Sequence, residues 1–379
     1  MTRRSFVAGA ATALPAQVPR RKVRIGVVGG RFGSTFQFHL DPAAEVAAVC
    51  DIAPDRLQRL SEVYKCGATY RGFRDLLKHP GLDAIGVFTP APLHAWMAIE
   101  AMNAGKHILS AVPAGLTVDE LEQILETVRR TGMKYMMAET SYYRPEIIRC
   151  REWAREGRFG TIFYSEAEYH HEGLLSLMFD ERGMPTWRHG FPPMLYPTHS
   201  TGMVVPVTGE RLVEVQAVGW GDGHEILKTN QYQNPFWNTT GFFKTSGGHS
   251  SRISVFWHVA AGGTERAQFY GDRMSYLMAR PEKSPDTVIR IAGDGGEVRI
   301  EADATPNYFD RLPEPMRVRT GHGNSHTFLS HEFVRAILED RQPAVNVWEA
   351  IAYTLPGIVA HRSALKGGEP MKIRDYGRG

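Results

Sequence analysis

Cysteine is scarce in this chain. Three residues, Cys50, Cys66 and Cys150, are odd in number and share no CxxC spacing. That excludes a disulfide framework and a cysteine-built zinc site. Long apolar runs are also missing: none approaches the roughly 20 residues that span a bilayer, so no membrane partner is expected. Neither sign of charge dominates, with 44 Lys and Arg against 41 Asp and Glu for a net charge of +3. The basic clusters, such as Arg20-Arg21-Lys22, are short, which gives no basis for a nucleic-acid partner. Internal repeats and low-complexity tracts are absent as well.

What is present is an ordinary globular composition, 42% hydrophobic and 22% charged over 379 residues. A chain of this length outgrows a single core, so two domains are expected. Thr2-Arg3-Arg4-Ser5-Phe6-Val7 precedes a small apolar run, Val7 to Ala13, and an Ala-Leu-Pro-Ala stretch ending at Ala16. This resembles a twin-arginine export signal over residues 1–20 and implies a periplasmic or extracellular protein, the alternative being a basic tail on a cytoplasmic one.

From residue 23 to about 140, apolar strand candidates alternate with helical patterns. The strands are Val23 to Val28, Val46 to Cys50, Ala84 to Phe88, His107 to Ser110 and Tyr135 to Ala138. The clearest helix starts at Thr117, with Glu120 completing a capping box and Leu121, Ile124, Leu125 and Val128 on one stripe. Continuous apolar strands between helices predict a doubly wound parallel sheet covered on both faces, over residues 21–143. After a helix over Ile147 to Glu156, strand patterns group together: Ile162 to Tyr169, Leu212 to Val218, Arg252 to Val259, Arg266 to Tyr270 and Glu297 to Glu301. They predict a substrate-binding α+β domain over residues 144–379, built on a large, mostly antiparallel open sheet and carrying C-terminal helices. Residues 172–210 read as an aperiodic loop rich in Pro, Gly, Met and aromatics, and loops of that length are usually functional. A last helix is expected around Thr327 to Glu339.

The most informative segment is Val23 to Gly33, V-R-I-G-V-V-G-G-R-F-G. An apolar strand runs into a glycine turn, and Asp51 follows at the end of the next apolar run, about 20 residues on, as in a dinucleotide-binding βαβ unit. The spacing Gly29-Gly30-Arg31-Phe32-Gly33 is one residue shorter than G-x-G-x-x-G, so that Val28 stands in the first glycine's place. Backbone N–H groups entering a helix at this turn would hold a phosphate. Asp51 would accept from ribose hydroxyls and repel a 2′-phosphate, which favours NAD over NADP, with Arg56 the one nearby counter-indication. Thr89-Pro90 and His94 follow the strand ending at Phe88, at the sheet edge where ligands collect.

These residues resemble the Gfo/Idh/MocA family, named for glucose–fructose oxidoreductase, inositol dehydrogenase and a rhizopine-catabolism protein. The resemblance covers residues 23 to about 365 and is carried by the glycine turn, by Phe88-Thr89-Pro90 with His94, by Ala104-Gly105-Lys106-His107-Ile108-Leu109 and by Glu156-Gly157-Arg158-Phe159-Gly160. It implies a Rossmann domain joined to an α/β domain whose open sheet forms a sugar site and often an oligomer interface, hence a homo-oligomer, dimer or tetramer. The family usually shows Glu-Lys-Pro where this chain has Ala111-Val112-Pro113, so its lysine is absent. Its Asp-x-x-x-His element is replaced by Tyr196-Pro197-Thr198-His199. The NAD-dependent glycosidases of glycoside hydrolase family 109 are similar at these points and also at Glu139 ahead of Tyr143-Arg144, and at Tyr169-His170-His171.

The resemblance implies NAD as cofactor and a carbohydrate as substrate. Its cofactor residues would be Gly29, Gly30, Arg31, Phe32, Gly33, Asp51, Thr89, Pro90, His94 and Glu139. Catalysis would fall to Tyr169, His171, His199 and Glu139, and substrate binding to Tyr143, Arg144, Trp187 and Tyr196. Strand alternation puts Ser165, Ala167 and Tyr169 on one face, with His171 joining them if the strand continues. A tyrosine and a histidine there can share a proton. The implied reactions are hydride transfer at a sugar hydroxyl carbon or, alternatively, redox-neutral glycoside cleavage by oxidation, elimination, hydration and reduction, with Tyr169 removing the C2 proton. A noncatalytic sugar-binding protein is the third reading. No metal is expected, because His171 and His199 with Glu168 or Glu172 have no zinc spacing. Ser200 lacks a G-x-S-x-G elbow, and Glu166 and Glu168 lie too close along one strand to straddle a glycosidic bond. Phe191, Tyr232, Phe236 and Trp237 are core or sugar-stacking aromatics; His189 and His258 are equally assignable to structure.

Overall fold

A computed structural model of the chain describes residues 21–260, 264–279, 285–292 and 297–379. The twin-arginine reading falls on residues 1–20 and lies outside them. No helix among the described residues is long and apolar enough to cross a membrane.

Six parallel strands make the first sheet: β1 (Val23–Val28), β2 (Ala44–Cys50), β3 (Thr69–Tyr70), β4 (Ala84–Val87), β5 (His107–Ser110) and β6 (Tyr135–Met137). Their order is β3-β2-β1-β4-β5-β6, the doubly wound order of a dinucleotide-binding sheet. Helices α1 (Pro54–Tyr64), α2 (Phe73–Leu77), α3 (His94–Asn103) and α4 (Val118–Thr131) connect the later strands. The Thr117–Glu120 capping box opens α4 as expected.

The first crossover departs from expectation. Where a helix should follow the glycine turn, the chain makes two short 3₁₀ turns, Gly33–Thr35 and Phe38–Leu40. Gly, Ser and Thr are weak helix formers, and Phe36 and Phe38 are both fully buried, a two-residue spacing that an α-helix cannot aim at one core. No helix dipole therefore stands behind the glycines.

The second sheet has nine strands: β7 (Ile162–His170), β8 (Leu212–Trp220), β9 (Asn238–Thr245), β10 (Ser250–Phe256), β11 (Thr264–Gly271), β12 (Met274–Leu277), β13 (Asp286–Ala292), β14 (Glu297–Asp303) and β15 (Met371–Lys372). Its order is β14-β13-β12-β11-β7-β10-β9-β8-β15. Every pairing is antiparallel except β7 with β10. Helices α5 (Pro145–Arg155), α6 (Thr198–Thr208), α7 (Gly321–Leu338) and α8 (Val347–Leu365) complete the fold. On one face Ala167, Phe243, Ile253, Val255, Ala267 and Phe269 are buried. The opposite face leaves Val218, Phe242, Val298 and Ile300 exposed.

Two helices correct the sequence reading. Helix α6 lies inside the stretch expected to be an aperiodic loop, and α8, among the C-terminal helices expected, is given no bounds by the sequence. Nearly every residue of α6 from Thr198 to Val207, and most of α8, is buried. A helix buried all round shows no amphipathic stripe, and Pro206 and Pro356 inside them read as breaks. Strands β9, β12 and β13 are likewise not marked out by alternation.

Candidate active site

The site forms where the carboxyl end of the first sheet meets the covered face of the second. Glu139 follows β6 and has no exposed surface. Its Oε1 accepts from the Ser141 N–H at 2.8 Å, capping the 3₁₀ turn Thr140–Tyr143. Helix α6 brings His199 to it, Nδ1 to Oε1 at 2.9 Å. Gly202 stands one turn further along α6. A Cβ there would lie 2.5 Å from Glu139 Cγ, so only glycine lets the helix approach the carboxylate.

This buried pair polarises itself. Burial alone would raise the Glu139 carboxyl, but the His199 charge and hydrogen bond outweigh it and hold the group below its ordinary value. Burial would likewise lower His199, and the Glu139 carboxylate reverses the sign, so His199 favours the imidazolium.

A second carboxylate stands beside the first. Glu265 on β11 is directly opposite Tyr169 on β7 in the strand register. It accepts from Arg144 Nε at 2.8 Å and Nη2 at 2.7 Å, a bidentate pair, and from Ser141 Oγ at 2.5 Å. Burial opposes its ionisation, yet Arg144 first, then His199 and Ser141, hold it far below the usual carboxylate range. Ser141 thus joins both carboxylates, by its N–H to Glu139 and by its hydroxyl to Glu265.

Tyr169 faces this polar cluster. Its ring centre is 4.6 Å from His199 in an edge contact, 5.7 Å from Trp257 and 6.1 Å from Tyr196, with which it stacks. Burial pushes its phenol well up, Tyr196 and Glu265 add to that, and Arg188 opposes it only in part. Arg188 itself lies over the Trp187 ring at 4.3 Å. His322, at the start of α7, holds its ring 6.1 Å from His199 and nearly parallel to it, and 5.8 Å from Phe32 of the glycine turn.

The glycine turn is bound tightly to its own protein. Gly29, at φ +100°, would put a Cβ 2.3 Å from the Phe88 carbonyl oxygen, and Gly30 would put one 2.3 Å from that of Arg56. The Gly29 N–H donates to Cys50 O at 3.0 Å, that of Gly33 to Gly29 O at 2.9 Å, and that of Gly30 to Asp51 Oδ2 at 2.7 Å.

Residues 23–139 match the family described as the oxidoreductase family, NAD-binding Rossmann fold. This segment is similar to the NAD-binding domains of the Gfo/Idh/MocA family. The chain is 25% identical over 403 residues to a glycosyl hydrolase family 109 protein of Solibacter usitatus, covering 95% of this chain and 90% of that one. Among solved structures, levoglucosan dehydrogenase in complex with NADH superposes with a TM-score of 0.78 at 16% identity, covering 94% and 100% of the two chains. The scyllo-inositol dehydrogenase of Lactobacillus casei superposes at 0.72 and 18%, covering 94% and 99%. At these identities the structures share the fold.

The matched segment, residues 23–139, carries residues that fit NAD. Among the described residues no hydrogen bond takes the N–H groups of Arg31 or Phe32, which leaves them for a diphosphate. Each Asp51 oxygen accepts one backbone N–H, from Gly30 or Ala53, and keeps a second lone pair for a ribose hydroxyl. Ile52 beside it is 77% exposed, an apolar platform for a planar base that the sequence reading passes over. Thr89 and Pro90 border the glycine turn at the sheet edge, Pro90 exposed.

Three expectations change. His94 is buried, with its ring nitrogens 2.8 Å from Pro113 O and 2.7 Å from Thr89 O; it fastens two turns together and presents no face to a ligand. His171 is 5.7 Å from Tyr169 in ring centres, but its Nδ1 bonds the Glu172 carbonyl at 2.7 Å, and His199 is the closer imidazole. Tyr143 stacks on Phe328 within an apolar cluster. Arg144 faces the cleft through its pair with Glu265, Tyr196 lies beside Tyr169, and Trp187 packs against Phe191 at 5.4 Å. The sequence reading misses Glu265, Ser141, Arg188 and His322. Only Glu265 has a local signal: a carboxylate in the inward register of a strand whose next inward residues are Ala267 and Phe269.

Proposed function

We propose that the protein is an NAD-dependent enzyme that transfers a hydride at a CH–OH carbon of a carbohydrate. The observation that carries this reading is the convergence of Glu139, His199, Tyr169 and the Arg144–Glu265 pair at the junction of the matched segment with the second sheet. Arg31, Phe32, Asp51 and Ile52 would hold the dinucleotide, and NAD⁺ when bound supplies a hydride acceptor that can later return the hydride. Tyr169 and His199 both present protons. The buried phenol stays neutral, and the imidazolium is held by Glu139, so the pair binds and orients ligand oxygens, with His199 as the acid. The phenolate base expected from the sequence is disfavoured by the site itself. Tyr196 and Trp187 offer aromatic faces for a pyranose ring, and Arg188 a cation beside them.

The step after the first hydride transfer decides between a redox and a hydrolytic net outcome. The family 109 name of a relative aligned over nearly the whole chain favours redox-neutral glycoside cleavage as the second reading. Incubation with a nitrophenyl glycoside panel in D₂O separates them. Accumulating NADH supports net oxidation; release of nitrophenol with deuterium at C2 and no NADH supports cleavage. Purified protein that neither retains nor binds NAD would overturn both in favour of a sugar-binding protein. Further elements of the proposal are export through residues 1–20 and homo-oligomerisation as a dimer or tetramer through the exposed sheet face.

A further inference from the structure

Tyr169 and His199 present protons to the cleft, and His322 lies against His199. Burial holds the Tyr169 phenol up, the Glu139 carboxylate holds the His199 imidazole up, and Glu139 and Glu265 each accept from Ser141 while paired with His199 and Arg144. Oxidation of a hydroxyl carbon must also release the hydroxyl proton, so an acceptor is required. We propose that His322 is that acceptor, its ring held against His199 by the left-handed turn His322–Asn324 and fixed in its base form by His326.

The backbone is unusual here. His322, Gly323 and Asn324 have φ of +52°, +65° and +69°. A non-glycine residue in this region is uncommon, and such residues cluster at functional sites. Asn324 closes the turn by accepting the Thr320 N–H at 3.0 Å. Gly323 lies over Arg144, whose Cγ would be 3.4 Å from a Cβ there. The turn is thereby tied to the Arg144–Glu265 pair.

Hydrogen bonding fixes the tautomers. His326 is 2% exposed and stacks on Phe36 at 4.8 Å. Its Nδ1 is 3.3 Å from the Thr35 carbonyl, which can only accept, so Nδ1 carries the proton. Burial, followed by the neighbouring His322, pushes the His326 pKa down to about 4, so the ring is neutral and its Nε2 is a lone pair. That Nε2 is 3.0 Å from His322 Nδ1. His322 Nδ1–H must then donate, which leaves Nε2 of His322 as the lone pair. The residue is exposed at the cleft mouth while Phe32, His326 and His199 wall its ring. The charged and titratable groups around it are His199, Glu265, Arg144, Glu139 and His326. The packed walls of its ring first and His199 next hold His322 below the ordinary imidazole value, with Glu265 opposing.

The assignment rests on the dinucleotide reading of the glycine turn and Asp51. In the step, the ligand O–H bond breaks and its proton forms an N–H bond at His322 Nε2. The oxygen electron pair becomes the C=O π bond, and the C–H hydrogen leaves with its electron pair to NAD⁺. General-base assistance of this kind is worth about 10²–10⁴-fold.

Asparagine tolerates the left-handed backbone but cannot take the proton, so His322→Asn is the informative variant. It is expected to keep the wild-type melting temperature and an NAD affinity within about threefold of wild type. Single-turnover reduction of bound NAD⁺ should fall about 10²-fold or more, and the acidic limb of its pH profile should disappear. ¹⁵N NMR of the imidazoles should show His322 protonated at Nδ1 alone at pH 7. His326→Ala should shift that tautomer balance. An unchanged turnover rate and pH profile in His322→Asn, or an Nε2–H tautomer in the wild type, would overturn the proposal. Wild-type protein that binds no NAD would instead defeat the dinucleotide reading, and the proposal with it.

Discussion

Two regions of this molecule meet across the cleft and are built on different principles. At the glycine turn the working groups are main-chain atoms, and three of its N–H groups are already bound to Cys50, Asp51 and Gly29. Aromatic packing of Phe32, Phe36 and Phe88 replaces the missing crossover helix. On the other side the working groups are side chains apart from the Ser141 N–H, and Glu139, Ser141, Arg144, His199 and Glu265 arrive from three separate parts of the chain. A site made of backbone tolerates changes that keep the turn. A site made of buried charges depends on each partner, because a removed partner leaves an uncompensated charge.

The largest expected effect tests that dependence. Glu139→Gln should cost about 3–5 kcal/mol of stability, the typical penalty for breaking a buried ion pair, and should abolish the raised affinity of His199 for its proton. Denaturant unfolding together with His199 titration by NMR checks it. A loss under about 1 kcal/mol, the range of an exposed pair, would show that the two regions do not differ in this way.

On the backbone side, Asp51→Ala removes the acceptor of the Gly30 and Ala53 N–H groups. Hydrogen bonds to charged groups contribute about 1.5–3 kcal/mol, so NAD affinity should weaken roughly 10- to 100-fold. Calorimetric titration measures it, and the side-chain cluster should keep its His199 titration unchanged.

The pH dependence of stability sharpens the contrast. His199 is raised above its ordinary 6.5, so its contribution is full below pH 6.5 and is lost as pH rises through the higher folded value. Glu139 is lowered below 4.5, so its contribution is full above pH 4.5 and is lost as pH falls through the lower folded value. The pair therefore stabilises most between pH 4.5 and 6.5. Melting temperatures across pH should show the wild type exceeding Glu139→Gln by the widest margin in that window.

The smallest effect on the fold concerns the outer face of the second sheet. Val218→Glu and Phe242→Glu lie at positions 62% and 51% exposed, where substitutions change stability by about 0.5 kcal/mol or less. They should nonetheless shift the protein toward monomer in sedimentation velocity. A monomeric wild type would show that this face has no partner copy.

Legibility divides along the same line. The strands β1, β2, β4, β5 and β6 and the Thr117 cap are readable because a parallel sheet needs continuous apolar runs and a cap needs fixed residue types at fixed spacing. The missing first helix is not, since a glycine turn before a strand reads alike with or without it. Helix α6 is hidden by burial on all sides, so His199, though its motif stands out, reads as a loop residue. Glu139, Tyr169 and His199 are legible through motif resemblance, whereas Ser141 and His322 carry no local pattern that separates them from ordinary polar residues.

The sequence by itself determined the doubly wound parallel sheet of the first domain, the place of Asp51 just past the end of its second strand and the absence of a lysine at Val112, because each follows from residue types at short separations. Only the tertiary structure decided which groups are charged. The pKa of Glu139, His199, Glu265 and Tyr169 depends on burial and on neighbours tens to more than a hundred residues away. Packing of α6 against the Thr140–Tyr143 turn and pairing of β11 with β7, and no spacing along the chain, bring those neighbours within hydrogen-bond reach.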